Sequence, residues 1–240
     1  MQADTRAYGM SFACQKLVVF NHEKQLLNLS FSFNRSFALI GQSGSGKSLT
    51  LKALLGMLPQ TLQRTFLYKA EYTLVRGKTV AFVPQNPFTA LSPLTKIEKQ
   101  FGMSKEQAAY YCNMVELEAQ FLDRFPSELS GGQLQRIIIA MALSLKPKLL
   151  LLDEPTTALD EESKKHILAL IQELHQKALF DILFVTHDLQ SIEGICEEVG
   201  ILQNGIMVES GMTHNVLSQP QHPYTQELLE AGFKQRSFRA

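Results

Sequence analysis

Gly41-Gln42-Ser43-Gly44-Ser45-Gly46-Lys47-Ser48 lies between a short apolar run, Ser36 to Ile40, and a helical stretch, Leu49 to Leu58. It matches the pattern G-x-x-x-x-G-K-[ST], and the order strand, glycine-rich loop, helix is the context that pattern requires. The glycines let backbone N–H groups converge on phosphate oxygens at the positive end of a helix. Lys47 neutralises the β- and γ-phosphates, and Ser48 offers an oxygen to Mg²⁺. A flexible Gly/Ser turn would account for the loop's composition but not for the strand and helix flanking it. The expectation is an α/β fold with a phosphate site running from Gly41 to Leu49.

Outward from this unit, Leu17 to Phe20 and Leu29 to Phe33 read as further short strands. Thr79 to Val83, Lys148 to Leu152 and Ile182 to Val185 are apolar runs of the kind found in strands covered on both faces, which predicts a buried parallel sheet. Ile167, Leu170, Ile171, Leu174 and Ala178 follow helical spacing, so Ser163 to Ala178 is a crossover helix completing a βαβ unit. Ser104 to Leu145 holds two helical patterns and reads as a helical insert. Asn204-Gly205, between Val199–Leu202 and Ile206–Val208, predicts a hairpin because both residues tolerate positive φ.

Composition limits what such a fold can do. In 240 residues, 23 Lys plus Arg balance 23 Asp plus Glu, so no overall basic field draws the chain to nucleic acid. Cys14, Cys112 and Cys196 are far apart and odd in number, which fits neither a disulfide framework nor a zinc or iron–sulfur site and predicts reduced thiols. The longest apolar run, Ile137 to Leu145, is about half of what a bilayer crossing needs, and no secretion signal opens the chain. A soluble, cytoplasmic chain is expected, one that serves a membrane only by binding chains that span it.

Two further stretches carry chemistry. Leu149 to Leu152 ends in Asp153-Glu154, an apolar strand delivering two carboxylates; opposite a phosphate loop, Asp153 would hold Mg²⁺ and Glu154 would take a proton from, or polarise, an attacking water. Alone, it reads equally as a strand ending in an acidic turn. Leu129-Ser130-Gly131-Gly132-Gln133 precedes Leu134-Gln135-Arg136 and the apolar helix. Ser130 can cap that helix while the glycines leave amides exposed, a second anion cradle that one nucleotide does not need. The alternative is a merely Gly-rich loop.

Taken in order, Gly41 to Ser48, Gln85, Leu129 to Gln133, Asp153-Glu154, Thr157-Ala-Leu-Asp160 and His187 resemble the ATP-binding subunit of an ABC transporter over nearly the whole chain. The resemblance implies a P-loop NTPase core of the ABC ATPase type with an N-terminal antiparallel β subdomain and a compact α-helical subdomain. Residues 1–240 would form one nucleotide-binding domain, with about 86–147 as the helical insert and 212–240 as a tail. It implies ATP and Mg²⁺ as ligands, with Gln85 on Mg²⁺ and the attacking water, and Ser48 and Asp153 on the metal. His187 would contact the γ-phosphate. Ser130, Gly131, Gly132 and Gln133 would close over ATP held by a second subunit, with Asp160 across that interface. Phe20 is the candidate for stacking on adenine; a core phenylalanine is the other reading. The implied partners are a second ABC ATPase, identical or different, two membrane permeases and, indirectly, an extracytoplasmic solute-binding protein, with the chain peripheral at the cytoplasmic face and no nucleic acid involved.

Within that family, Gln219-Pro-Gln-His222-Pro223-Tyr224-Thr225 is similar to the H-P-Y-T segment of the di/oligopeptide and nickel importer group. By itself it is a Pro-punctuated turn entering a helix. Asn34-Arg35-Ser36 replaces the group's usual Gly-Glu, and Thr61 to Lys78 is shorter than the group's pattern. Peptide importers that extend into a cysteine-rich region are not matched, which leans the solute toward nickel or a metal chelate. The six scattered histidines do not add to that lean. A soluble ABC-type ATPase acting on nucleic acid or ribosomes is the alternative, but Ser48 to Leu129 is too short for a long coiled coil and shows no heptads.

Overall fold

The computed structural model describes residues 11–177 and 180–237. The elements in chain order are β1 (Phe12–Asn21), β2 (Lys24–Phe33), β3 (Ser36–Ile40), α1 (Lys47–Leu54), β4 (Leu62–Ala70), β5 (Val80–Val83), α2 (Ile97–Phe101), α3 (Lys105–Met114), α4 (Gly131–Ser144), β6 (Leu149–Asp153), α5 (Glu161–Lys177), β7 (Asp181–Thr186), β8 (Glu198–Gln203), β9 (Ile206–Met212), α6 (Thr213–Ser218) and α7 (Pro223–Ser237). The strands described form one nine-stranded sheet in the order β4-β1-β2-β9-β8-β3-β7-β6-β5. Strands β8, β3, β7, β6 and β5 pair in parallel, while β4, β1 and β2 form an antiparallel wing. The hairpin β8–β9 joins the two, through the pairing of Asn28 with Ile206.

The apolar runs are buried on both faces because each face of the parallel sheet has its own cover. Phe37, Leu39, Leu149, Leu151, Leu183 and Val185 point to the side of α1 and the wing. Ala38, Ile40, Leu150, Leu152, Ile182 and Phe184 point to the side of α4 and α5. Helix α5 lays Ile167, Leu170, Ile171 and Leu174 on that second face, giving the expected crossover between β6 and β7; Ala178, placed at its end by periodicity, lies outside the described residues. Phenylalanines link wing and core, as in the stacked pair Phe31–Phe37, 5.1 Å between centroids.

Strands β1 and β2 each begin five residues before the expected Leu17 and Leu29, and the structure departs from the sequence reading in two further places. Helix α1 stops at Leu54 rather than Leu58, because Gly56 takes a left-handed φ of 66° that ends the helical path. Thr61 to Lys78 contains the edge strand β4, which periodicity did not predict; its exposed Gln63, Arg64, Thr65, Leu67 and Lys69 leave half-buried Leu62, Phe66, Tyr68 and Ala70 as a weak inward face. The insert holds α2, α3 and α4, with Ala108 and Cys112 of α3 packed into the core that α4 shares. Cys14, Cys112 and Cys196 are free and buried, and burial pushes the Cys14 thiol up to about 12 and the Cys112 thiol to about 11. Among the described residues no helix is long and apolar enough to cross a membrane.

Candidate nucleotide site

Strand β3 hands the chain to the loop, and α1 leaves it at Lys47. Gly44 and Gly46 have φ of 81° and 113°, values that only glycine adopts without strain. At Gly41 the constraint is space: a Cβ there would lie 2.3 Å from the Leu202 carbonyl oxygen. The tip of the β8–β9 hairpin props the loop from below, the Gly205 N–H donating to the Ser45 carbonyl at 2.8 Å. No side chain caps α1 and no acidic residue occupies its first turn, so its first amides are available to an anion. Gly41, Gln42, Ser43, Gly44, Ser45, Gly46, Lys47, Ser48 and Leu49 thus line one continuous cradle and helix start.

Lys47 is 5% exposed, and its Nζ donates to the carbonyls of Gly41 at 2.7 Å and Gln42 at 3.1 Å. The same Nζ stands 3.4 Å from Glu154 Oε1. Ser48 Oγ donates to Asp153 Oδ1 at 3.1 Å. Burial raises the Asp153 carboxyl above its ordinary range, the neighbouring charge of Glu154 adds to that, and the Ser48 bond works against it. A buried carboxylate held at a cost beside a second one is a place for a cation.

The donor set fits Mg²⁺ rather than a transition metal. Ser48 and Asp153 offer hard oxygen ligands, with the Gln85 amide nearby on Glu154, and no group of three His, Cys, Asp or Glu gathers among the described residues. Mg²⁺ is held in just this manner, by one or two protein oxygens completed by phosphate and water.

Glu154 is the point on which the separate motifs converge. It follows β6 with a φ of 45°, strained for a non-glycine residue, and its N–H donates to Val185 O of the adjacent strand at 2.8 Å. Its Oε2 accepts from Gln85 Nε2 at 3.2 Å and from Thr157 Oγ1 at 3.0 Å, and lies 3.0 Å from His187 Nδ1. The His187 turn is tied down beside it: the Asp188 N–H donates to Thr186 Oγ1 at 2.9 Å, and Asp188 is paired with Lys164 of α5. Thr157 was named only as the start of the Thr157-Ala-Leu-Asp160 motif; its contact with this carboxylate was not foreseen, because a threonine hydroxyl carries no charge to announce a partner.

Ser130, Gly131, Gly132, Gln133 and Asp160 gather around a different point. Ser130 caps α4: its Oγ accepts from the Gln133 N–H at 3.3 Å, and the Ser130 N–H donates to Gln133 Oε1 at 3.0 Å. Asp160 accepts from the Ser163 N–H at 2.9 Å, a bond that holds its carboxyl below the usual range. A Cβ on Gly132 would lie 2.9 Å from Ser163 Oγ, so the two segments form one surface. Phe20 is half-buried on β1, paired with Gln25 and Gln63 in the wing.

A family model described as ABC transporter matches residues 25–157, more than half of the chain. This chain belongs to the ABC transporter family. ATP binding and hydrolysis are the chemistry of that family, and the observed architecture is its P-loop ATPase fold with an N-terminal β subdomain and an α-helical subdomain. Among curated members, the chain is 38% identical over 238 residues to the glutathione import ATP-binding protein GsiA of Escherichia coli K12, a match that covers 85% of this chain and 38% of that protein. It is 35% identical over 230 residues to the oligopeptide transport ATP-binding protein OppD of Bacillus subtilis, covering 85% of this chain and 64% of that one. The chain therefore spans less than two thirds of the length of these relatives. The crystal structure of an ATP-binding cassette of an ABC transporter in its ADP conformation superposes with a TM-score of 0.76 at 21% identity, covering 92% of this chain and 98% of the other.

Proposed function

We propose that this chain is the ATP-binding and hydrolysing subunit of an importer, working at the cytoplasmic face of a membrane. In this reading, residues 1–240 act as one nucleotide-binding domain with 86–147 as its helical insert and 212–240 as its tail. The observation that carries it is the convergence of Lys47, Gln85, Thr157 and His187 on the Glu154 carboxylate. Structural ion-pair networks do not need a phosphate cradle beside them, whereas a nucleotide hydrolase needs both.

The amides of 41–48 and Lys47 hold the phosphates, and Ser48, Asp153 and Gln85 hold Mg²⁺, which neutralises phosphate charge when bound. Glu154 orients water and accepts its proton, and His187, bonded to Glu154, stands at the γ-phosphate end. Ser130, Gly131, Gly132, Gln133 and Asp160 lie on a separate surface, which suits them to nucleotide on a second ATPase subunit, identical or different. Two such subunits joined by ATP and released by hydrolysis form a two-state element able to move two permeases. Phe20, half-buried on β1 of the wing, is offered for adenine stacking. An extracytoplasmic solute-binding protein completes the assembly.

For the solute, the names of the curated relatives favour oligopeptides or glutathione over nickel or a metal chelate. Uptake of labelled glutathione, a labelled dipeptide and ⁶³Ni²⁺ in cells carrying Glu154→Gln should show loss of one activity, and undiminished uptake of all three removes the importer reading for them. On purified protein the same variant should keep Mg-ATP binding and slow phosphate release by about 10²- to 10⁴-fold.

A further inference from the structure

The His222-Pro223-Tyr224-Thr225 segment of the tail reaches the phosphate loop. Glu209 on β9 accepts from the backbone N–H groups of Gln221 at 2.9 Å and His222 at 3.0 Å, which pins the turn before α7. His222 then serves as the cap: its Nδ1 accepts from the Tyr224 N–H at 3.2 Å, and its carbonyl accepts from the Thr225 N–H at 2.9 Å. Pro223 follows at the first helical position, where its missing N–H costs nothing. The first turn of α7 thereby faces inward, with Tyr224 6% exposed and Thr225 fully buried. From there the Tyr224 hydroxyl accepts from the Gln42 N–H at 3.1 Å, across 182 residues of sequence.

Gln42 N–H and Gly41 C=O belong to one peptide group. That group is held at both ends, its carbonyl by Lys47 Nζ at 2.7 Å and its N–H by Tyr224 Oη at 3.1 Å. In the role proposed for Lys47, its ammonium turns to phosphate, and the hold on the carbonyl is shared or lost. The hold on the N–H does not involve Lys47. We propose that Tyr224 is a positioning residue for ATP binding, its hydroxyl fixing the Gly41–Gln42 peptide so that the cradle keeps its shape while Lys47 engages the phosphates. This rests on the phosphate-site reading above. The tail is then part of the nucleotide site's scaffold, and any partner that lifts the first turn of α7 would weaken ATP binding.

Tyr224→Phe removes the hydroxyl and keeps the ring in its buried place. One neutral hydrogen bond changes an equilibrium by about two- to tenfold. Calorimetric titration of the full chain with Mg-ATP should show Kd rising by about that factor, with KM for ATP following and kcat within about twofold. Hydrogen exchange of the Gln42 amide should accelerate, a readout that a purely structural role for the ring would not move. Unchanged Kd and unchanged exchange overturn the proposal. Lys47→Ala is measured alongside: if it also binds as the parent does, the phosphate-site reading has failed, whereas loss of binding in Lys47→Ala with an unaltered Tyr224→Phe sinks only the role of Tyr224. Should Tyr224→Phe not fold, His222→Ala, which loosens the cap and leaves the ring present, must raise the same Kd, and an unchanged value counts against the proposal.

Discussion

Glu154 and Lys47 carry the densest set of contacts in the candidate site, yet they differ in what their loss should do. Lys47 is a buried ammonium whose partners are two loop carbonyls and one carboxylate oxygen. Replacing it by alanine removes the only side-chain cation described inside the cradle, and charge-assisted bonds are worth about 1.5–3 kcal/mol each. Lys47→Ala should therefore weaken Mg-ATP binding by roughly 10²-fold or more in calorimetry; binding within threefold of the parent would contradict the assignment. Glu154 was legible in the sequence from its strand and its aspartate neighbour. Gln85 and His187 come to it from separate turns, while Thr157, named in the Thr157-Ala-Leu-Asp160 motif, reaches it from the turn that Glu154 itself opens.

The β8–β9 hairpin shows what an element adds. Asn204-Gly205 announced the turn, since φ of 50° and 78° suits that pair and few others. What the turn is for was not legible. Its Gly205 N–H supports the Ser45 carbonyl, its Gly205 carbonyl accepts from Asn28 at 2.8 Å, and a Cβ at Gly205 would lie 2.0 Å from the Leu26 carbonyl oxygen. Gly205→Ala should destabilise the fold by more than about 1 kcal/mol, from backbone strain plus that collision, and lower the urea midpoint. A midpoint equal to the parent's would show that the hairpin tip does not bear on the loop. Strand β4 is the opposite case: its edge position leaves few apolar residues inward, so pattern reading passed over it, and pairing with β1 alone defines it.

At the scale of the molecule, His175 reports on the fold as a unit. It sits at the end of α5 against Phe180, 5.9 Å between ring centroids, and its carbonyl accepts from Arg35 at 2.8 Å. Burial, assisted by the nearby Arg35 charge, lowers its pKa from 6.5 to about 4. The unfolded chain takes up a proton at 6.5 and the folded chain resists until about 4, so the unfolded state binds more protons between these values. Its contribution to stability is complete above 6.5 and is lost progressively as pH falls toward 4. Urea midpoints measured across that window should fall with pH in the parent and fall less in His175→Gln; parallel curves would remove His175 as the cause. The proposed pairing with a second ATPase makes a further prediction. Glu154→Gln with Mg-ATP should run as a dimer in gel filtration, alone or mixed with its partner ATPase, and return to monomer without nucleotide; a monomer under every condition would count against the paired-subunit reading.

Composition and order along the chain determined the fold class, the phosphate loop, the carboxylate pair and the hairpin, because each depends on residues that are neighbours in sequence: a glycine that alone tolerates its φ, or an apolar run covered on both faces. The tertiary structure alone decided that Gln85, Thr157 and His187 share one carboxylate, that β4 closes the wing, and that Tyr224 reaches Gln42. Apart from Thr157, which shares the turn of Glu154, those contacts span tens to hundreds of residues, and they exist only because the order of strands in the sheet brings loops from different βα units to one edge, a geometry that no local periodicity encodes.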